Sequence, residues 1–290
     1  MFKGSLLAGV LLCCAVYSIA QDSPAEVSVQ QDVVYGVQGR EKLLLDIYLP
    51  AEPSTKARPA VVLIHGGAWS SLDKGTMRNM AAFLARFGFV AVSVNYRLLH
   101  GSENLWPAQL DDVQRAVRWL RSNSARYNID ASHIGAFGHS AGAQLAALLG
   151  MEDTRDNSDA ALAKYSSRVQ AVVDVSGPVD FPAYHYDNQD GGLVNLLGGE
   201  YDRIPQVWRD ASPVFHVAKS NAPFLIVHGT SDEAVPIAQA QEFRSKLEKA
   251  GVPVSFIKLE GGHTFETPEV LLRLATETLT FFNHYLVVNP

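Results

Sequence analysis

Cysteine is almost missing from this sequence: Cys13 and Cys14 are its only two, and both lie within the first twenty positions. A mature chain lacking that segment would have no disulfide, no thiol nucleophile and no cysteine-based zinc site. A basic surplus is also lacking. Lys and Arg number 24 against 30 Asp and Glu, a formal net charge of −6, so general nucleic-acid binding, which needs a basic face, is not expected. There is no H-E-x-x-H pair, no G-K-[ST] phosphate loop and no Asn-x-Ser/Thr sequon. The nine histidines are scattered, and neither a metal nor a cofactor is expected. No repeat of fixed period appears.

What is present begins at the N-terminus. Lys3 provides a short positive end, Leu6 to Ile19 is almost wholly apolar, and Ser18-Ile19-Ala20 places small residues where a signal peptidase reads them. Residues 1–20 are therefore expected to be a secretory signal, with Gln21 as the mature start and a secreted or periplasmic destination. The alternative is a lipoprotein signal ending at Cys14, preceded by Leu11, although Leu12-Cys13 fits the small-residue preference poorly. The apolar run is short for a membrane span, so none is expected after cleavage.

Residues 21–290 have the composition of one globular domain, 47% hydrophobic and 19% charged over the whole chain. Val27 to Val37 and Lys42 to Leu49 predict an antiparallel hairpin at a sheet edge, turning at Gly39. Ala60 to Ile64, Phe89 to Val94, Ile134 to Phe137, Ala171 to Val175 and Phe224 to Val227 are short, nearly continuous apolar runs, as strands covered on both faces are. Helical stretches separate them at Met77 to Phe87, Ala108 to Tyr127, Ala141 to Met151 and Ile237 to Ala250. A strand at Val254 to Leu259 and a helix at Pro268 to Tyr285 close the chain. The alternation predicts an α/β fold, a mostly parallel central sheet with helices on both faces. Residues 177–213, rich in Gly, Pro, Tyr and Asp, interrupt it and are expected to form an irregular, cap-like insertion beside the site.

Gly138-His139-Ser140-Ala141-Gly142 matches the G-x-S-x-G nucleophile elbow, between a strand and a helix as that motif requires. A serine hydroxyl needs a base. His263, flanked by Gly261 and Gly262 between the last strand and last helix, occupies the place of that base. The acid is expected on the loop after Phe224 to Val227, where Asp232 and Glu233 compete. His65-Gly66-Gly67-Ala68-Trp69 follows an earlier strand, where an oxyanion loop belongs, so the N–H groups of Gly66, Gly67 and Ala141 are the expected oxyanion donors. His65 is expected to anchor that turn, and His139 to point away from Ser140.

With these residues placed, the chain resembles the esterase/lipase branch of the α/β-hydrolase fold: the BD-FAE-like bacterial feruloyl and acetyl-xylan esterases and the hormone-sensitive-lipase-like enzymes. Its markers are His65 to Trp69, Asn95-Tyr96-Arg97-Leu98, Trp106 to Asp112, Ile134 to Gly142, Ser176-Gly177-Pro178, His228 to Asp232 and Gly262-His263. Ala68 departs from the H-G-G-G form, and the H-G-G-x-W form is shared with arylformamidases. The resemblance favours Asp232 over Glu233 through its D-x-x-V-P setting. It implies a serine carboxylesterase acting on a small-molecule or polysaccharide-linked ester, such as an acetyl or feruloyl ester. An arylformamidase-like or peptidase-like amide hydrolase and a non-catalytic binding module are the alternatives. Trp69, Tyr96, Trp106, Phe181 and Tyr184 are candidates to line an aromatic-accepting pocket, with packing as the other reading for each. Arg97 is expected to pair with Asp111 or Asp112.

Overall fold

A computed structural model describes residues 27–188 and 191–287. Residues 1–20, expected to be a signal and including Cys14, lie outside the described residues, as do the side chains of His185 and Asp187 in the insertion. Eight strands form one sheet: β1 (Val27–Gln38), β2 (Glu41–Pro50), β3 (Arg58–Ile64), β4 (Val90–Val94), β5 (Ile129–His139), β6 (Ala171–Val175), β7 (Phe224–Gly229) and β8 (Val254–Leu259). Their order is β1-β2-β4-β3-β5-β6-β7-β8. The first two are antiparallel to each other, β2 is antiparallel to β4, and β4 through β8 run parallel. This is the mostly parallel α/β sheet that the alternating apolar runs predict.

Strand alternation divides the core. Ala60, Val62 and Ile64 of β3 project to one side; Val61 and Leu63 project to the other. The first side is covered by α2 (Ala108–Ser122), α4 (Ala141–Met151) and α8 (Ile237–Ala250), and the second by α1 (Arg78–Arg86) and α9 (Pro268–Leu286). Each such Val or Leu, buried on folding, contributes about 1.5–3 kcal/mol, so both faces must be apolar and the strands read as continuous runs.

Two local predictions differ from the structure. The helix expected over Ala108 to Tyr127 breaks after Ser122, and a separate turn, α3 (Ser124–Tyr127), follows it. At the break the Trp119 carbonyl is crowded, accepting the Asn123 side-chain amide (2.9 Å) and the Ser122 hydroxyl (2.8 Å) besides the Asn123 N–H (3.0 Å); serine and asparagine compete for the backbone in this way. The insertion is more regular than expected, containing α5 (Phe181–Asn188), α6 (Gly191–Leu197) and α7 (Pro205–Asp210). Its glycines and prolines mark helix ends: Pro205 opens α7, and Gly198, at φ +83°, follows α6. Phe181, Leu193, Leu196 and Trp208 enter the same core as α2 and α4. Gln144 of α4 donates to the Ala211 carbonyl (2.7 Å), tying the insertion to the helix behind Ser140.

Candidate active site

Strand β5 ends at His139 and α4 starts at Ala141, so a single residue, Ser140, makes the turn. Its backbone lies at φ 55°, ψ −123°, a sparsely populated region that persists only where the surroundings hold it. They do so here: the Ser140 N–H donates to the Val175 carbonyl (2.8 Å), and the Ser140 carbonyl accepts from the Ala143 N–H (2.9 Å). The flanking glycines are spatial necessities. A Cβ on Gly138 would lie 2.1 Å from the Gly142 carbonyl oxygen, and one on Gly142 would lie 2.2 Å from that of Ile64. Both obstacles are backbone. Gly142→Ala is therefore expected to destabilise the fold by about 3 kcal/mol, lowering the melting temperature by roughly 10 °C. An unchanged thermal melt would contradict this account of the elbow.

His263 and Asp232 reach Ser140 from later loops. The Ser140 hydroxyl lies 2.8 Å from His263 Nε2, and His263 Nδ1 lies 2.9 Å from Asp232 Oδ2. The Nδ1–H donates to the carboxylate, which leaves Nε2 bare to accept from Oγ. The Asp232 side chain is fully buried and that of His263 is 24% exposed. Four donors surround Asp232. Oδ1 accepts the N–H groups of Ala234 (3.0 Å) and Val235 (2.8 Å), while Oδ2 lies 3.3 Å from His228 Nε2 in addition to His263. Burial alone would raise its pKa, but the hydrogen bonds from His228, His263 and Val235 prevail and hold the carboxyl well below the usual carboxylate range. Glu233, its competitor in the sequence, is exposed.

The turn after β3 closes on the elbow. A Cβ on Gly66 would sit 3.1 Å from Ser140 Cβ. Gly67, at φ +102°, leaves no room for one, which would meet the Ser71 carbonyl oxygen at 2.2 Å. Ala68 and Trp69 also have positive φ, 49° and 58°. His65 fastens this turn: its Nδ1–H donates to the Gly66 carbonyl (2.7 Å), and its ring stacks on Tyr96 at 4.4 Å. The Tyr96 hydroxyl in turn donates to the His65 carbonyl (3.0 Å). Burial lowers the His65 pKa, favouring the neutral ring. Among the described residues, the N–H groups of Gly66, Gly67 and Ala141 donate to no protein acceptor. Gly66 and Ala141 border Ser140, and Gly67 follows on the same turn. His139 turns to His263, its Nε2–H donating to the His263 carbonyl (2.9 Å).

Of the five aromatic candidates, four are buried, Trp69 at 5%, Tyr96 at 3%, Trp106 at 8% and Phe181 at 0% exposure, and Tyr184 is half-buried. Trp69 donates to Gln144 (3.0 Å) and meets Phe181 edge-on; Tyr184 donates to the Ala234 carbonyl (2.7 Å). An open apolar space instead lies on the opposite side of the sheet, between α1 and α9. It is a cavity of about 610 Å³, with Met80, Phe83 and Leu272 among its walls and His139, Thr264 and Phe265 along one border. The only local trace of it in the sequence is the helical spacing of Met77, Met80 and Phe83. Arg97 selects Asp112, with Nε 2.8 Å from Oδ2 and Nη2 2.8 Å from Oδ1, over the neighbouring Asp111.

A family model described as BD-FAE matches residues 45–247. A probable carboxylic ester hydrolase, LipM, of Mycobacterium tuberculosis is 32% identical over 236 residues, which cover 79% of this chain and 54% of that protein. The chain thus spans about half the length of the curated relatives it matches. Among solved structures, a truncated form of a carbohydrate esterase from gut microbiota is 30% identical with a TM-score of 0.75, covering 91% of this chain and 97% of that one. Thermogutta terrifontis esterase 2 phosphorylated by paraoxon is 25% identical with a TM-score of 0.76, covering 92% and 96%.

Proposed function

The chain belongs to the BD-FAE family, and from that premise we propose that it hydrolyses carboxylic esters through an acyl-enzyme on Ser140. The observation that carries the reading is the unbroken line from Ser140 Oγ through His263 to Asp232, at 2.8 and 2.9 Å. Ser140 Oγ attacks the ester carbonyl as His263 Nε2 takes its proton. The N–H groups of Gly66, Gly67 and Ala141 receive the oxyanion, each worth roughly 3 kcal/mol in the transition state. His263 then protonates the departing alcohol, and water repeats the sequence to release the acid.

Acetyl or feruloyl esters of plant polysaccharides are the proposed substrate class. The similarity to a carbohydrate esterase and the export pattern of residues 1–20 support this. The same pattern supports a secreted or periplasmic location. Rates on p-nitrophenyl acetate, methyl ferulate, acetylated xylan and N-formylkynurenine, measured side by side, test the reading. Turnover of the acetyl and feruloyl esters is expected, and turnover of the formamide alone would overturn it.

A further inference from the structure

Behind Asp232 lies a group of buried polar atoms that the reaction described above does not use. Asp174, Ser176 and His228 are buried to within 2%. Among the described residues, Asp174 Oδ2, Ser176 Oγ and His228 Nδ1 have no protein hydrogen-bond partner. Strands β6 and β7 run parallel, with Asp174 opposite Ile226 and Val175 opposite Val227. Val172 and Ile226 face the α4 side of the core, whereas Val173, Val175, Leu225 and Val227 face the other. By alternation, Asp174 and His228 share the α4 side on neighbouring strands. The other Asp174 oxygen, Oδ1, accepts the Gly177 N–H (3.0 Å).

The His228 ring is held from its other nitrogen. Its Nε2–H donates to the Val235 carbonyl (2.8 Å) and lies 3.3 Å from Asp232 Oδ2. One side chain thus closes the 232–235 turn from beneath and touches the oxygen that receives His263. With the proton on Nε2, the Nδ1 of a neutral imidazole is a bare acceptor, and a buried acceptor left unmet costs about 1–3 kcal/mol. Asp174 on β6 acts on it electrostatically, and Ser176, whose N–H donates to the Val227 carbonyl (2.9 Å), lies just past the end of that strand; the carboxyl oxygen and the hydroxyl are both in the same position of need. Buried polar groups so placed satisfy one another directly or across an enclosed water.

We infer that His228 is a positioning residue for Asp232. The Ser176 hydroxyl, and the Asp174 carboxyl when it carries a proton, supply the hydrogen bond at its Nδ1 that keeps its Nε2–H on Asp232 and Val235. The inference rests on Ser140, His263 and Asp232 being the reacting set. Burial supports it by pushing the Asp174 carboxyl up to about 6, against the Gly177 N–H and His228, so that it holds a proton more readily than an ordinary carboxyl. Among the described residues, the titratable groups facing His228 are Asp174 on β6 and Asp232 on the following loop, with His263 beyond Asp232.

The rate of fluorophosphonate labelling at Ser140, followed against pH and probe concentration, reads the triad without knowledge of the substrate. His228→Phe keeps bulk and removes the donor; its maximal labelling rate is expected to fall on the order of 10- to 100-fold, as loss of a buried hydrogen bond implies, with the probe's half-saturation little changed. The acid limb of its pH profile should move upward, because Asp232 with one donor fewer leaves more negative charge for His263. His228→Gln, which retains an N–H near the Nε2 position, should recover much of the rate and return the limb towards wild type. Asp174→Asn should label within about threefold of wild type and Asp174→Leu about tenfold more slowly, since only the amide still donates. Wild-type rate and limb in His228→Phe would sink the inference, as would equal losses in His228→Phe and His228→Gln with an unmoved limb. If His228→Phe gives no cooperative melt, the Asp174 pair decides, and Asp174→Leu at the wild-type rate overturns it. An unlabelled wild type would remove the serine-hydrolase reading and this inference together; a labelled one confines any failure to His228.

Discussion

Ser140→Ala should lower ester turnover on the order of 10⁶-fold while leaving the fold intact. Among the described residues the hydroxyl's one hydrogen bond is to His263, whereas the strained turn is held by the serine's backbone N–H and carbonyl, which alanine keeps. What remains should be the modest acceleration supplied by the Gly66, Gly67 and Ala141 donors. His263→Ala is expected to cost nearly as much on its own, and the double variant little more than either, because nucleophile and base act as one unit. Turnover of p-nitrophenyl acetate, with the mass of a fluorophosphonate adduct as a second readout, measures this. Residual activity above a hundredth of wild type, or an adduct on the alanine variant, would place the nucleophile elsewhere.

The elbow at Ser140 was legible in the sequence because its requirements are local. A strand, one residue and a helix must follow in order, and the glycines at 138 and 142 stand where backbone segments meet. The sheet was legible for a related reason: β3 through β7 are buried on both faces, so each reads as an apolar run whatever its neighbours are. The choice between Asp232 and Glu233 is different. One residue of register decides it, and the structure resolves it through the Ala234 and Val235 N–H groups that take Asp232 Oδ1. Contacts between distant segments left no local trace either. Nothing near Arg97 distinguishes Asp111 from Asp112, nothing near His228 announces Asp174, and the apolar cavity needs α1 and α9 side by side. The helix break at Asn123 was readable in principle, since Ser122-Asn123-Ser124 is a run of residues that compete for the backbone, but the apolar spacing on either side masks it.

The same two N–H groups make the outcome of Asp232→Asn unusually determinate. They must be met by an oxygen, so the asparagine carbonyl takes the Oδ1 position and its amide nitrogen the Oδ2 position. There the amide confronts His263 Nδ1 and His228 Nε2, both donors in wild type. To avoid donor facing donor, His263 must move its proton to Nε2, the atom that has to accept from Ser140. A correctly folded enzyme with the wrong tautomer is expected, with kcat reduced about 10⁴-fold and KM nearly unchanged. Activity within tenfold of wild type would mean that another acid serves His263, Glu233 being next on the loop. Stability adds a check of opposite character. The folded-state pKa of Asp232 is depressed below that of the unfolded chain. Its contribution is therefore present in full above the ordinary carboxylate value of about 3.9 and is lost as pH falls through the depressed one. Asparagine carries no such dependence. The stability difference between wild type and Asp232→Asn, taken from urea melts, should shrink once the pH drops below about 4, where the coupled histidines are already protonated. A difference that widened in acid would show that the buried carboxylate is a cost to the fold, kept for the orientation it gives His263.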